Sequence, residues 1–359
     1  MLLSLCAHSL TGTRETRKDT IVKQFICIGE NIHCTRIYKV GGVFVREQSD
    51  GSFAIVYETA KGAQVLPIPA HFYDTADWQA ARVKHCAVAL WQGLFGDDGG
   101  KLAAAEYIRF LALRQQEAGA TYLDINVDEY GTDAETKERG LRWIVEAAQQ
   151  ASALPVCIDS SNTELLRAGL AAADSDRSAP MLNSVSLERT AAIDIAREFN
   201  AAVVASAAGE TDLPCTTEGR LANLNGLIPT LRSAGFKDSA IHVDPLVFPI
   251  STDQSNGTSF LEAVSAIRQA FGPDIHIAAG LSNISFGMPA RKLLNQVFAY
   301  LAIEAGADGG IVDPLQISAQ VLGALDTESL GFKMARAVLL GEDEFGMDFI
   351  TAVRAGEIQ

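Results

Sequence analysis

The stretch YLDINVDEYGTDAETKERGLRWIVEAAQQASALPVCIDS, residues 122–160, decides the fold class. Two short apolar runs, YLDINV (122–127) and PVCIDS (155–160), flank a segment at 133–151 whose apolar residues recur at helical spacing. A strand, a helix and a strand joined at this distance form a parallel pair with a crossover helix. The same unit recurs on either side. Runs of strand type stand at 25–31 (FICIGEN), 181–186 (MLNSVS), 202–207 (AVVASA), 241–246 (IHVDPL), 276–283 (HIAAGLSN) and 309–314 (GGIVDP). Helical segments fill the gaps at 102–118, 163–173, 188–199, 217–234, 259–271, 289–305 and 317–340. Eight strand-helix units predict an α/β chain closed as a (β/α)8 barrel, a TIM barrel, forming one domain over 1–359; an open doubly wound sheet shares the local pattern.

Local signals set the boundaries. Thr163 and Thr258 suit helix caps, Pro289 suits a first helical turn, and Gly119, Gly235 and Gly306 follow apolar faces as C-terminal caps do. Residues 36–98 part the first strand from its helix and read as a β-rich insertion beside the barrel mouth. Within it RIYKV, Gly41-Gly42 and VFVRE predict a hairpin, SFAIVYE a third strand, and 77–95 a short helix. The run GDDGG (96–100) lacks a preceding strand and the GxGxxG spacing, so it is read as a flexible link. A C-terminal helical tail is expected at 343–358.

Composition narrows the function classes. Hydrophobic residues make up 48% and charged residues 20%, as in a soluble domain with a sizeable core. A net charge of -15, from 29 Lys plus Arg against 44 Asp plus Glu, argues against nucleic-acid and anionic-membrane partners. No apolar run approaches the ~20 residues of a membrane span. The opening MLLSLCAHSL lacks the charged start of a signal peptide. Six cysteines (Cys6, Cys27, Cys34, Cys86, Cys157, Cys215) form no CxxC pair, which fits a reducing cytoplasm.

In a barrel of this kind the strand ends converge at one mouth. They bring Glu30 and Asn31, Asp124 and Asn126, Asp159 and Ser160, Asn183 and Ser184, Ser206, Asp244, Asn283 and Asp313. Acids and amides dominate; Lys, Arg and Cys are absent. That mixture suits a neutral, planar, nitrogen-rich ligand, since carboxylates accept paired N–H bonds and an amide both donates and accepts. Each residue also has a bland role. Asp244 and Asp313 precede prolines, as turn residues do; Asn126 and Asn183 can satisfy strand-end backbone; Glu30 can pair with Arg36. Convergence favours a ligand, because several carboxylates buried at one rim repel one another and lose solvation.

The motifs IGENIH (28–33), LDINV (123–127), CIDSSN (157–162), MLNSVS (181–186), VDPLVFP (243–249) and GLSNISFGMPAR (280–291) resemble, in this order, the methyltetrahydrofolate:corrinoid methyltransferases and the folate-binding domain of cobalamin-dependent methionine synthase. The resemblance covers residues 25 to about 340. It implies a reduced pterin, methyltetrahydrofolate or tetrahydrofolate, held at its pyrimidine edge by Asp159, Asn183 and Asp244. Asn283 would approach N5, and Asp124 and Asn126 would lie nearby, with Ser184, Ser206 and Glu30 as further contacts. It further implies a cobalamin or corrinoid carried by a partner protein, since no DxHxxG cobalamin signature is present, and a homodimer. Arg291 and Lys292, with Arg36, are the expected contacts of the folate tail. The insertion departs from the smaller family members and leaves partner choice open.

Three rivals are set against this reading. Dihydropteroate synthase shares the barrel and the pterin, but a glycine-rich phosphate loop and a basic cluster at the last strand are missing. A metal enzyme needs clustered ligands; His33 with Cys34, and His85 with Cys86 or Cys27, read as packing residues, while His8, His71, His242 and His276 show no ligand spacing, so no bound metal is expected. The third rival is a non-catalytic folate-binding subunit, which would use the same ring-binding residues.

Overall fold

The computed structural model describes residues 25–131, 133–174 and 176–358; the apolar opening, with Cys6 and His8, lies outside them. The eight parallel strands are β1 (Ile26–His33), β7 (Tyr122–Asn126), β8 (Val156–Asp159), β9 (Met181–Val185), β10 (Ala202–Ser206), β11 (Ile241–Asp244), β12 (His276–Gly280) and β13 (Gly309–Val312). They close in sequence order, β13 pairing with β1. The runs can be apolar on both faces because both are covered. Inside the barrel Ile28, Cys157, Met181, Ala202, Val204, Ala278 and Ile311 pack together, and a larger shell fills the space between strands and helices.

Helix starts follow their caps, at positions the sequence partly misplaced. Asn162, not Thr163, caps helix Thr163–Ala172, accepting from Glu164 and Leu165 N–H. Thr258 lies inside helix Asn256–Phe271. Pro289 precedes helix Arg291–Ala305, whose N-cap, Ala290, takes a left-handed conformation. GDDGG is no flexible link: the Asp97 carboxylate caps helix Asp98–Glu117, so Gly99 and Gly100 are helical. The segment expected as one helix at 317–340 is two, Ala319–Gly323 and Leu330–Leu339, each begun by a serine cap, and the tail forms helix Met347–Ala355. Gly119, Gly235 and Gly306 do have positive φ after their helices.

The insertion is β-rich, with a pairing the sequence did not reveal. The strands β2 (Ile37–Lys39) and β3 (Val45–Glu47) do not form a hairpin. Instead β2 pairs with β6 (Arg82–Lys84), while β3 joins β4 (Phe53–Thr59) and β5 (Gly62–Pro67) in an antiparallel meander. The polar turn around Gly51, at φ +82, brings β3 back on β4 and outcompetes the Gly41-Gly42 turn. Helix His85–Phe95 returns the chain and packs on Asp98–Glu117.

Helix Asn256–Phe271 approaches the end of Leu330–Leu339 so closely that a Cβ on Gly257 would overlap the Leu339 carbonyl oxygen. Backbone cannot give way as a flexible side chain can. Gly257→Ala is expected to lower stability by about 1–3 kcal/mol, read as a lower denaturant midpoint at unchanged slope.

Candidate active site at the barrel mouth

Strand register sets the rim. His33 lies beside Asn126, Asp124 beside Cys157, Asp159 beside Asn183, and Ser206 beside Asp244. A shift in the pairing of β1 with β7, between Gly29 and Ile32, carries β1 past the expected end at Asn31 and brings His33 into the mouth.

Several expected ligand contacts are engaged by the protein itself. Glu30 forms an ion pair with Arg36 and accepts from Ser282 Oγ at 3.3 Å. Asn31 Nδ2 donates to Asp313 Oδ1 at 2.7 Å, across the β1–β13 seam. Arg189 donates to Ser184 Oγ at 2.6 Å. Ser206 Oγ accepts from Ala208 N–H, and Asn126 bridges Asp128 N–H and Asp159. Arg291, expected at the folate tail, instead holds the loop after β12 through Ser285 Oγ and the Ser282 carbonyl. Lys292 remains exposed.

A different subset keeps polar atoms without a protein partner among the described residues. Asp159 receives His33 Nε2 and Asn126 Nδ2, each at 3.0 Å, on Oδ2 only. Asp244 accepts from Leu246 N–H on Oδ1 only, at 2.9 Å. The Asn183 and Asn283 amides have no hydrogen bond; Asn183 lies half-buried before a cis peptide to Ser184, and Asn283 stands exposed on the turn Leu281–Ser285. Asp124 lies beneath, its side chain 1% exposed and both oxygens without a hydrogen bond.

The electrostatics follow from burial and crowding. Burial, then the neighbouring Asp159 charge, pushes the Asp124 carboxyl up to about 7, with His33 pulling the other way. Burial lifts Asp244 to about 6 against the Leu246 N–H and Arg220. Burial also raises Glu30, opposed by Arg36. For His33 burial disfavours the cation, but the hydrogen bond to Asp159 and the charges of Asp124 and Asp159 outweigh it, and the net direction is upward.

The sequence reading passed over three features. His33 was taken as a packing residue, yet it stands 3.0 Å from Asp159 and 3.5 Å from Asp124. The ligand atoms of the three lie within 4.8 Å of one another, close enough for a divalent cation where none was expected; the contacts formed are those of a hydrogen bond and an ion pair. Asp128 gathers Ser160 Oγ and the Ser161 N–H and hydroxyl, tying the β7 and β8 ends together. Arg220, fully buried, donates to the carbonyls of Pro245, Leu246 and Cys215 and to Ser259 Oγ, and so grips the turn after Asp244, where Leu246 has φ +67. Polarity at a strand end could have marked His33; nothing in sequence separates Arg220 from a solvated helix residue. Among the described residues no helix is long and apolar enough to cross a membrane.

Comparison with known proteins shows what the whole chain is similar to. The methylcorrinoid:tetrahydrofolate methyltransferase of Eubacterium limosum is 34% identical over 257 residues, 70% of this chain and 89% of that protein. The methionine synthase of Mycobacterium tuberculosis is 32% identical over 222 residues, 58% of this chain but only 18% of that longer protein. Among solved structures, a Xanthomonas albilineans dihydropteroate synthase complex superposes with a TM-score of 0.50 at 22% identity, covering 64% of this chain and 85% of that one, a likeness of fold. The pterin binding enzyme family matches residues 95–313, from the end of the insertion through β13, and to that family the chain belongs.

Proposed function

We propose that this protein transfers a methyl group between the cobalt of a corrinoid and N5 of tetrahydrofolate, with the methylcorrinoid as donor, the direction in the name of the Eubacterium limosum relative. The observation that carries the reading is the set of polar atoms left without a protein partner. Asp159 Oδ1, Asp244 Oδ2 and the Asn183 amide are left to pair with a pyrimidine edge rich in N–H, while the Asn283 amide stands apart on its own turn. These are the residues that the family motifs assign to the pterin. Asp124, Asn126, Ser184, Ser206 and Glu30 support them from behind.

The corrinoid, carried on a partner protein, supplies the methyl group and a cobalt leaving centre. The residues of this chain bind and orient the acceptor. Carboxylates that accept from the ring amide and exocyclic amine fix the ring plane, so that N5 faces the mouth. Asn283 hydrogen-bonds N5 and stabilises the charge that changes there during transfer; its amide does not titrate, so it is no proton store. Lys292, exposed at the start of helix Arg291–Ala305, is the folate-tail contact in this reading. A homodimer in the cytoplasm completes the reading, the dimer following from the resemblance and the compartment from cysteines that form no CxxC pair.

Anaerobic mixing of the protein with tetrahydrofolate and methylcobalamin, followed by the growth of the Co(I) absorption band, tests it directly. No band, together with no tetrahydrofolate binding by calorimetry, would sink the assignment. The Asp244 carboxyl makes a sharper test. Because its pKa is raised to about 6, acidification through that value replaces an acceptor by a donor. Folate affinity is therefore expected to fall as the pH drops below about 6, and Asp244→Asn to bind about 10²-fold more weakly than wild type above that pH, the difference shrinking below it, measured by calorimetry.

A further inference from the structure

The scheme above gives no task to His33. Both nitrogens of its ring are nevertheless engaged at the mouth. Nδ1 lies 2.7 Å from Thr35 Oγ1, and Nε2 lies 3.0 Å from Asp159 Oδ2 and 3.5 Å from Asp124 Oδ2. The same Asp159 oxygen receives Asn126 Nδ2 at 3.0 Å. Two donors on one oxygen fix the plane of the carboxylate and leave Oδ1 for a ligand. We infer that His33 is a positioning residue for the pterin: it holds Asp159 by one oxygen and, standing between Asp159 and Asp124, keeps a proton taken up by the pair off Asp159. The inference rests on Asp159 being a pterin acceptor, as proposed above.

The need for such a residue follows from the charges around it. Asp124 on β7, Asp159 on β8 and Glu30 on its own strand all face the ring, and among the described residues only Glu30 of these has an arginine, Arg36. Two carboxylates so close, without a cation or donor between them, take up one proton as a pair. A proton on Asp159 would turn an O–H toward the N–H groups of the pyrimidine edge, donor against donor. His33 prevents this in both of its states. As the cation it balances the pair; as the neutral ring it still donates from Nε2 while Nδ1 accepts from the Thr35 hydroxyl.

Calorimetric titration of methyltetrahydrofolate into wild type, His33→Ala, His33→Asn, His33→Gln and Asp159→Asn, at pH values from about 6.5 to about 8.5, tests this. Wild-type affinity should change less than about threefold across the window. Affinity in the alanine variant should fall about tenfold or more at the acid end and recover partly at the alkaline end, with the saturating rate changed less than about threefold. The asparagine side chain, too short to reach Asp159, should behave as alanine even if the alanine variant folds poorly. Glutamine keeps a donor within reach and should restore affinity to within about threefold at the alkaline end. Wild-type affinity in both short variants, with Asp159→Asn defective, overturns the role of His33 and leaves the pterin reading standing. Undiminished binding by Asp159→Asn removes the pterin reading itself. Elemental analysis closes the test: one equivalent of divalent metal in wild type, lost in His33→Ala, would show that an ion and not a hydrogen bond joins these three residues, and would equally overturn the inference.

Discussion

Asn283→Ala is expected to slow methyl transfer at saturating folate by about 10²–10³-fold while the dissociation constant of methyltetrahydrofolate changes less than about threefold. The structure gives this split a physical basis. The turn that carries Asn283 is clamped on both sides: Arg291 holds the Ser282 carbonyl and Ser285 Oγ, Ser282 Oγ donates to Glu30, and Phe286 N–H donates to the Asn283 carbonyl. Its amide is the one polar group of the turn left exposed and unpaired among the described residues. A group held by its backbone and free at its tip is set to act on a reacting atom, and its removal disturbs little of the ring-binding edge on β8, β9 and β11. Single-turnover stopped-flow spectroscopy at the Co(I) band, alongside calorimetry, reads both quantities. An equal loss in both would mean that Asn283 only binds.

Arg220→Met is expected to cost about 3–5 kcal/mol of stability and to weaken pterin binding as well. Among the described residues the Arg220 side chain is the largest that is fully buried, and it has no carboxylate partner within ion-pair distance; its donors end on four carbonyls and the Ser259 hydroxyl. Methionine fills part of the volume and leaves those acceptors buried and unsatisfied. Two of the carbonyls belong to Pro245 and Leu246, directly after Asp244, and Leu246 is held at φ +67, a conformation unfavourable to its branched side chain. Loosening the grip releases that turn, and with it the Leu246 N–H that fixes Asp244 Oδ1. Arg220→Lys, which keeps the charge but not the fork, should recover little of either property. Thermal unfolding and folate titration on the same samples check both parts.

Eight barrel strands were legible in the sequence because each is largely buried on both faces and reads as a short, mainly apolar run with polar residues toward its end. The insertion was legible as β-structure but not in its pairing, since β2 finds its partner in β6, far along the chain, and local turn signals carry no information about that. Caps were displaced by one or a few residues where two capable side chains stand together, as Asn162 and Thr163 do. Of the site, polar strand ends could be named from order alone. Which of them remain available to a ligand could not: Ser184 is engaged by Arg189 and Asn31 by Asp313, contacts that arise only when distant strands meet. His33 was missed because the strand it ends runs two residues beyond the apolar run that announced it.

The seam between β1 and β13 joins the first described strand to the last. Every other barrel pair can form as the chain lengthens, but this one must wait for nearly the whole polypeptide, and so closes the longest loop of the molecule at the greatest entropic cost. β1 also delivers Glu30, Asn31 and His33, and Asn31 meets Asp313 across the same seam. A chain folded everywhere except at β1 would retain most of its helices and its core yet lack one wall of the mouth. Folate binding during refolding therefore reports ring closure, and should trail the recovery of helical circular dichroism.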